Sequence, residues 1–469
     1  MASLKEKIGY GFGDMSSSMF WKIFSYYLPF FYSNVFGLSL ADGALLLLIS
    51  KLWDAVSDPI MGIIADRTST KWGRYRPYLL WVAVPFAIAG ILTFSTPDFS
   101  YTGKLIYAYA TYILMMTIYT AINVPYGAML GVMTDKPEEK TVFSSFRMFF
   151  AYAGSFIAIA IFEPLCCCFN KATPDMDAAA RLHSEQTSWQ LAMIVIGIIC
   201  AIIFVLCFLW TRERVVSNNN EEDRSVLKDV KALGCNGPWW ILLLVAISAL
   251  LFNSIRGGAA AYFFQNYVGD NNILWITNEG NEIRLTTGVY LAVGEIANMI
   301  GVILAVPISS FIGKKYTYMF AMSMAAILSI VFFYASGSWL YLSLQILISI
   351  MAGMTFPLLW SMYADVADYS ELKNGRSSTG LIFSSSTMAQ KFGGAFGSAL
   401  ILWLLSYYGY NTALNSAQND GALFGLNMLM SWLPGLSCLI AVVALIFYPL
   451  GDKKMKDVTE QLKTRRENY

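Results

Sequence analysis

Three ionisable side chains follow an apolar run and could share one face of a helix. Lys51, Asp54 and Asp58 are spaced i, i+3 and i+7, which places them on one side of an α-helix. Ionised groups within a membrane-length helix are costly unless they face a polar cavity. With the hydroxyl of Ser57, the two carboxylates could bind a monovalent cation, or they could share a proton. The alternative is a structural salt bridge with Lys51.

Further polar side chains lie inside other apolar segments, where hydrogen-bond donors and aromatic rings suit a polyhydroxylated solute. Rings can stack on a sugar, and amide, hydroxyl and cationic groups can bind its hydroxyls. Composition alone does not choose a sugar over an amino acid or a drug. The alternatives are helix packing through polar groups and lysine or arginine side chains that reach the membrane surface. The candidates are Asp14, Ser17, Ser18, Trp21, Tyr119, Asn123, Arg147, Trp360, Thr387 and Lys391, while Thr120 could complete a cation shell.

The composition indicates a polytopic membrane protein. Of 469 residues, 57% are hydrophobic and 13% are charged, whereas a soluble domain carries about 25% charged residues. The net charge of +1 gives no argument for a nucleic-acid partner. The only histidine has no metal-binding or nucleophilic constellation around it, which argues against an enzyme. Since no phosphate-binding loop is present either, an ion gradient is the expected source of energy.

Apolar runs of about 20 residues predict the helices that must position these side chains. Twelve such segments are predicted, and they agree with an even number of crossings. Their approximate limits are 8–35, 40–64, 78–96, 104–132, 142–165, 188–211, 236–268, 285–312, 317–336, 339–366, 380–407 and 422–449.

The distribution of lysine and arginine predicts the topology and the domains. Basic residues concentrate in alternate loops and in both termini, which places both termini in the cytoplasm. A polar break divides the chain into a six-helix bundle at 1–211, a linker at 212–235, a second bundle at 236–450 and a tail at 451–469. Two six-helix halves predict an all-α membrane protein with the major facilitator fold. Cytoplasmic gating is predicted for Asp66, Arg67, Arg74, Arg76, Asp365 and Asp368.

Several motifs resemble the glycoside–pentoside–hexuronide:cation symporters, the melibiose permease family. The matching motifs run from the first to the eleventh predicted helix, and LKEKIGYGFGD (4–14) is similar to the branch of α-xyloside transporters. They are YGFGD (10–14), WDAVSDPIMG (53–62), ADRTSTKWGRYRP (65–77), TAINVPYGAM (120–129), TRERV (211–215), ADVADYSELKNG (364–375) and TMAQKFGGAFG (387–397).

The resemblance implies a function and a set of site residues. Its cation site falls on Asp54, Ser57, Asp58 and Thr120, with serine in place of the family's asparagine. Its sugar site falls on Tyr119, Arg147, Thr387 and Lys391. The implied protein is a monomeric, multi-pass protein of the bacterial inner membrane, in contact with lipid, that imports a glycoside or oligosaccharide with Na⁺ or H⁺. The resemblance implies no cofactor and no metal beyond this cation.

Other positions differ from the family pattern. The helix-one lysine–aspartate pair is replaced by Ser17 and Ser18, the helix-four aspartate by Asn123, and a stacking tryptophan by Gly127. Asp14 is a candidate replacement for the lost carboxylate, and Trp21 or Trp360 for the lost ring. The alternatives to sugar symport are a lysophospholipid symporter of the same fold, a non-transporting membrane sensor and an intramembrane enzyme.

Overall fold

The computed structural model describes most of the chain. The described residues are 3–134, 137–173, 175–214, 234, 236–269, 273–276, 282–374, 379–413 and 417–467. Within these ranges the side chains of Lys51, Asp66 and Thr387 lie outside the description. Most of the predicted linker at 212–235 also lies outside the described residues.

The described chain is mostly helical, and each predicted segment falls on one helix or on consecutive helical pieces. The main helices are α1 (Leu4–Tyr26), α2 (Leu40–Arg67), α3 (Ala83–Thr93), α4 (Tyr101–Met133), α5 (Pro137–Phe169), α6 (Ala178–Trp210), α7 (Gly237–Tyr262), α8 (Thr287–Ile312), α9 (Lys314–Phe332), α10 (Ser338–Asn374), α11 (Thr379–Tyr407), α12 (Trp432–Ile446) and α13 (Asp452–Glu467). Short helical pieces at Leu28–Phe30, Phe31–Val35 and Phe263–Val268 continue α1 and α7, and Arg76–Trp81 and Asp420–Met430 precede α3 and α12.

Length and composition qualify nine helices of the described ranges as membrane spans, and α3 is among the shorter apolar helices. Side-chain caps set several helix starts, since Ser39 accepts from the Asp42 backbone N–H and Ser100 from that of Gly103. Pro125 lies inside α4, where a membrane helix can tolerate it. The described helices therefore agree with the predicted all-α membrane protein.

Three local features differ from the predicted segments. The first is a break at Val82, which divides the segment 78–96 between Arg76–Trp81 and α3. A two-stranded antiparallel sheet, formed by β1 (Ile273–Ile276) and β2 (Glu282–Arg284), lies between α7 and α8. The last predicted segment, 422–449, is divided at Ser431, whose backbone leaves the helical region at φ −127° and ψ −85°. These are short features, and hydropathy over a membrane-length window cannot resolve them.

The chain forms two compact units, each described here by itself. The first contains 1–219 with 287–292 and 402–422, and the second contains 220–286, 293–401 and 423–469. The domain limits predicted at 211, 235 and 450 stay predictions.

Close packing of α1 against α4 and α5 positions the polar residues of the first unit. A Cβ atom at Gly13 would collide with the Tyr126 ring of α4, and one at Gly154 of α5 would meet the Met15 side chain of α1 at 2.9 Å. Glycine therefore allows the helices to approach closely at both contacts. This approach brings Asp14 of α1 towards the N-terminal half of α5, where Arg147 lies.

Candidate functional site

A carboxylate–hydroxyl cluster joins α2 to α4. We use this name for Asp54, Ser57, Asp58 and Thr120. The Thr120 hydroxyl donates to Asp58 Oδ1 at 2.8 Å, and Ser57 Oγ donates to Thr120 Oγ1 at 3.4 Å. Ser57 Oγ also lies 3.3 Å from the Asp54 backbone carbonyl, which it can bond instead. Asp54 is 1% exposed and Thr120 2% exposed, so the oxygens lie inside the first unit.

The residue types of this cluster would suit a hard cation or a proton. Carboxylate and hydroxyl oxygens are ligands that hard cations accept. The Thr120 hydroxyl donates to Asp58, and Asp54 carries a second carboxylate one turn earlier on α2. A cation or a proton would reduce the repulsion between the two acidic groups.

Asp14 and Arg147 form an ion pair between α1 and α5. Arg147 Nε donates to Asp14 Oδ2 at 2.7 Å, and Nη2 lies 3.4 Å from Oδ1. The arginine side chain is 37% exposed and the aspartate side chain 15%. The guanidinium carbon also lies 5.3 Å from the Tyr126 ring centre, and Tyr126 Oη donates to the Tyr10 carbonyl at 2.7 Å. The structure thus gives Arg147 a carboxylate and an aromatic neighbour.

A second polar contact joins α1 to α4. Ser17 Oγ lies 2.8 Å from Asn123 Oδ1, and Asn123 Nδ2 donates to the Tyr119 carbonyl at 3.1 Å. The rings of Trp21 and Tyr119 are 5.8 Å apart between centroids, at an angle of 36°. Ser17, Trp21, Tyr119 and Asn123 are therefore brought together, and half-buried Ser18 follows on α1.

Space is open on α4 one turn beyond Asn123. A Cβ atom at Gly127 would meet nothing within 4 Å. Gly127 is exposed, and the four-residue spacing from Asn123 places it on nearly the same side of the helix. A ligand that contacts Asn123 could therefore extend along the helix at this point.

Sequence reasoning missed the acidic residue that organises the turn after α2. Glu213 accepts hydrogen bonds from the backbone N–H groups of Arg74, Tyr75 and Arg76, at 2.8, 2.7 and 2.7 Å. Arg76 Nε donates to the Phe208 carbonyl at 2.8 Å, and its guanidinium lies 4.2 Å from the Phe208 ring centre. The sequence feature that could have indicated it is TRER (211–214), directly after α6, in which Glu213 lies between two arginines.

The other predicted gating residues have diverse surroundings. Arg67 is exposed at the end of α2, Arg74 lies 6.0 Å from the Tyr75 ring centre, and the Asp66 side chain lies outside the described residues. In the second unit, Asp365 accepts from Lys314 Nζ at 2.8 and 2.9 Å, and Asp368 is half-buried farther along α10. Their gating role stays a prediction.

The second unit also carries the remaining predicted substrate residues. Trp360 lies 6.4 Å from Phe356 and 6.2 Å from Tyr363 between ring centroids, within α10. Lys391 is half-buried on α11, and the side chain of Thr387 lies outside the described residues. Substrate contact by these residues stays a prediction.

A buried arginine organises the break before α12. Arg256 is 6% exposed, and it donates to the Met430 carbonyl at 2.7 Å and to Gln345 Oε1 at 2.8 Å. The carbonyl of Met430 is accessible to it because the helix is interrupted at the next residue, Ser431. Arg256 therefore stabilises a helix end inside the second unit.

This fold and these intramembrane polar residues define a class, the membrane transporters of the major facilitator fold. The family described as "MFS/sugar transport protein" matches residues 9–452. Putative glycoside/cation symporter YagG of Escherichia coli K12 is 35% identical over 462 residues, which are 98% of this chain and 95% of that protein. The isoprimeverose transporter of Lactiplantibacillus pentosus is 29% identical over 451 residues, covering 96% of this chain and 89% of that protein.

The structural neighbours agree on the fold. A bacterial homolog of the human lysosomal transporter Spinster, solved in an inward-facing and unoccupied conformation, has a TM-score of 0.66 at 12% identity, covering 98% of this chain and 97% of that one. The chain belongs to the MFS/sugar transport protein family and, within it, to the glycoside–pentoside–hexuronide:cation symporters. It is therefore a multi-pass membrane protein that transports sugars and is not an enzyme.

Proposed function

We propose that the protein is a cation-coupled symporter that brings a glycoside or oligosaccharide into the cell by alternating access. One observation carries the proposal: α4 contributes both Thr120, which bonds Asp58, and Asn123, which bonds Ser17. The two residues are one helical turn apart. A cation on α2 and a sugar against α1 would therefore act on the same segment of α4.

The proposed cation site is the carboxylate–hydroxyl cluster, and the coupling ion is Na⁺ or H⁺. Binding of the ion would reduce the charge of Asp54 and Asp58 and fix Thr120 in position. Since Thr120 shares a helical turn with Tyr119 and Asn123, this would order the sugar contacts on α4. Linkage then requires that the sugar raise the affinity for the ion by the same factor.

The proposed sugar site uses Asp14, Ser17, Trp21, Tyr119, Asn123 and Arg147 of the first unit. These side chains include both hydrogen-bond donors and acceptors, which a ligand rich in hydroxyl groups requires. The Trp21 and Tyr119 rings supply apolar faces. The family resemblance supports Lys391 and Thr387 as further sugar contacts, and Trp360 is a candidate for the ring that replaces the family's tryptophan. The same resemblance supports a bacterial inner membrane as the location. The abundance of lysine and arginine in alternate loops supports cytoplasmic termini.

Transport in proteoliposomes tests this function. Labelled glycosides are offered to the purified protein under an inward Na⁺ gradient or an inward proton gradient, each imposed separately. We expect one gradient to accumulate at least one glycoside above its equilibrium level. Asp58→Asn should lower this accumulation at least about 10-fold while weak sugar binding remains, because the coupling energy is lost.

The matched control is Asp98→Asn, which makes the same chemical change at an exposed loop residue between α3 and α4. It should accumulate sugar as the unchanged protein does. If neither gradient drives accumulation of any glycoside, the symport proposal is wrong. Full accumulation by Asp58→Asn would place the coupling site elsewhere.

A further inference from the structure

We infer that the Asp14–Arg147 ion pair makes the sugar site selective for neutral glycosides against glycosides that carry a carboxylate. This inference rests on the proposed function, because it concerns the class of substrate at the same site. The family includes carriers of both kinds, since pentosides are neutral and hexuronides are acidic. Charge at the sugar site is therefore the property that should separate them.

The positive charge of Arg147 is already compensated. Its Nε lies 2.7 Å from Asp14 Oδ2 and its Nη2 lies 3.4 Å from Oδ1, so one edge of the guanidinium is directed at the carboxylate. The 37% exposure of the arginine side chain leaves other N–H groups accessible to a ligand. A ligand approaching this side chain meets hydrogen-bond donors next to a carboxylate, with little net charge.

A sugar hydroxyl suits such a pair because it both donates and accepts. It can accept from a remaining N–H group of Arg147 and donate to an oxygen of Asp14 without breaking the ion pair. A substrate carboxylate has no proton to donate at neutral pH. It would have to lie beside the Asp14 carboxylate or displace it, and like charges placed together at a binding site are strongly unfavourable.

Displacement of Asp14 is made difficult by its surroundings. Its side chain is only 15% exposed, so a displaced carboxylate would remain poorly hydrated and without its arginine. Movement of α1 away from Arg147 is also restricted. The neighbouring Gly13 packs against the Tyr126 ring, whose hydroxyl holds the Tyr10 carbonyl at 2.7 Å.

The nearby carboxylate–hydroxyl cluster adds negative charge to the same unit. Asp54 and Asp58 lie on α2, and Asp58 bonds Thr120, the residue next to Tyr119. Until a cation binds, these groups would also repel an acidic sugar. Lys22 of α1 is a positive group of this unit, and its Nζ donates to Tyr26 Oη at 3.1 Å.

Matched pairs of glycosides provide the test. Each pair has the same sugar and the same nitrophenyl group and differs only at C6, which is CH₂OH in the neutral glycoside and COO⁻ in the uronide. Binding of several pairs to purified protein is measured with saturating Na⁺ and at low pH without Na⁺. We expect the unchanged protein to bind the best neutral member at least about 10-fold more tightly than its uronide.

Asp14→Asn should reduce this ratio at least about 10-fold, because Arg147 becomes available to a substrate carboxylate. Asp98→Asn again provides the control and should leave the ratio unchanged. An unchanged ratio in a folded Asp14→Asn protein would overturn the inference. Folding of each variant is checked by its thermal transition in detergent.

If Asp14→Asn fails to fold, binding of the glycoside pairs to the unchanged protein still tests the inference. Equal or tighter binding of the uronides would overturn the inference and leave sugar symport intact. Failure of both members of every pair to bind would contradict the proposed function itself, and the inference with it. A clear preference for the neutral members supports both.

Discussion

Two basic turns of the molecule are built on the same plan and held by different chemistry. The first basic turn is residues 73–76, after α2, and the second is residues 313–315, after α8. Each begins with a glycine at positive φ, 115° at Gly73 and 89° at Gly313. A Cβ at either position would meet a carboxylate, that of Glu213 after α6 or that of Asp452 at the start of α13.

The contacts show where the two turns differ. Glu213 accepts three backbone N–H groups of the first turn, all within 2.8 Å. Asp452 lies 3.4 Å from the backbone N–H of Lys314, and side chains hold the second turn. Lys314 pairs with Asp365, and Lys315 Nζ donates to the Tyr448 carbonyl at 2.7 Å.

This difference shows that a basic turn can be held in place through its backbone N–H groups or through its charged side chains. The first turn should tolerate changes of the Arg74 side chain better than loss of Glu213, because the N–H groups belong to the backbone. The second turn should depend on the identity of Lys314 and Asp365. If the turns control access from the cytoplasm, as predicted, the first should respond little to salt and the second more strongly.

Removal of the Glu213 carboxylate should have the largest effect. In Glu213→Ala, three N–H groups lose their acceptor, and we expect a destabilisation of the folded protein of about 3 kcal/mol. Thermal unfolding in detergent measures the effect, with Glu213→Gln as an intermediate variant that retains one acceptor oxygen. Glu460→Ala, an exposed position on α13, is the control. A Glu213→Ala protein as stable as this control would contradict the assigned role.

Substitution of the two glycines by alanine should distinguish the turns by a smaller difference in the free energy of unfolding. Gly73→Ala should cost about 2 kcal/mol and Gly313→Ala about 1 kcal/mol, because only the former displaces a carboxylate with several backbone bonds. Gly337→Ala isolates the backbone cost, since its φ is 90° and its Cβ would meet nothing within 4 Å. If alanine lowers the stability equally at all three glycines, the nearby carboxylates do not contribute to the cost of these substitutions.

The comparison also shows which features the sequence could predict. The helices were predictable because a membrane requires long apolar segments with internally bonded backbones. The interruption at Ser431 was not, since it involves a contact between Arg256 and Met430, 174 residues apart. The role of Glu213 was not predictable, because the residue lies at the start of a predicted linker, where a charged residue is ordinarily solvated.

The candidate site also has features that the sequence could predict and features that it could not. Spacing alone placed Asp54 and Asp58 on one face of α2, because a regular helix fixes relations between near neighbours. It could not pair Asp14 with Arg147, which are 133 residues apart on helices whose approach depends on glycine contacts. The motif resemblance supplied candidate roles, but the bond from Ser17 to Asn123 depends on a serine in place of the family pattern.

The ion pair of the second turn should give the smallest effect and the most specific one. A double-mutant cycle of Lys314→Met and Asp365→Asn should yield a coupling energy of about 1 kcal/mol in low salt, because both groups are partly exposed. Thermal unfolding measures it, and added salt should reduce it towards zero. The same salt increase should leave the Glu213→Ala effect nearly unchanged, since neutral backbone N–H groups hold that carboxylate. If salt weakens both turns equally, the distinction between a turn held by its backbone and a turn held by its side chains is wrong.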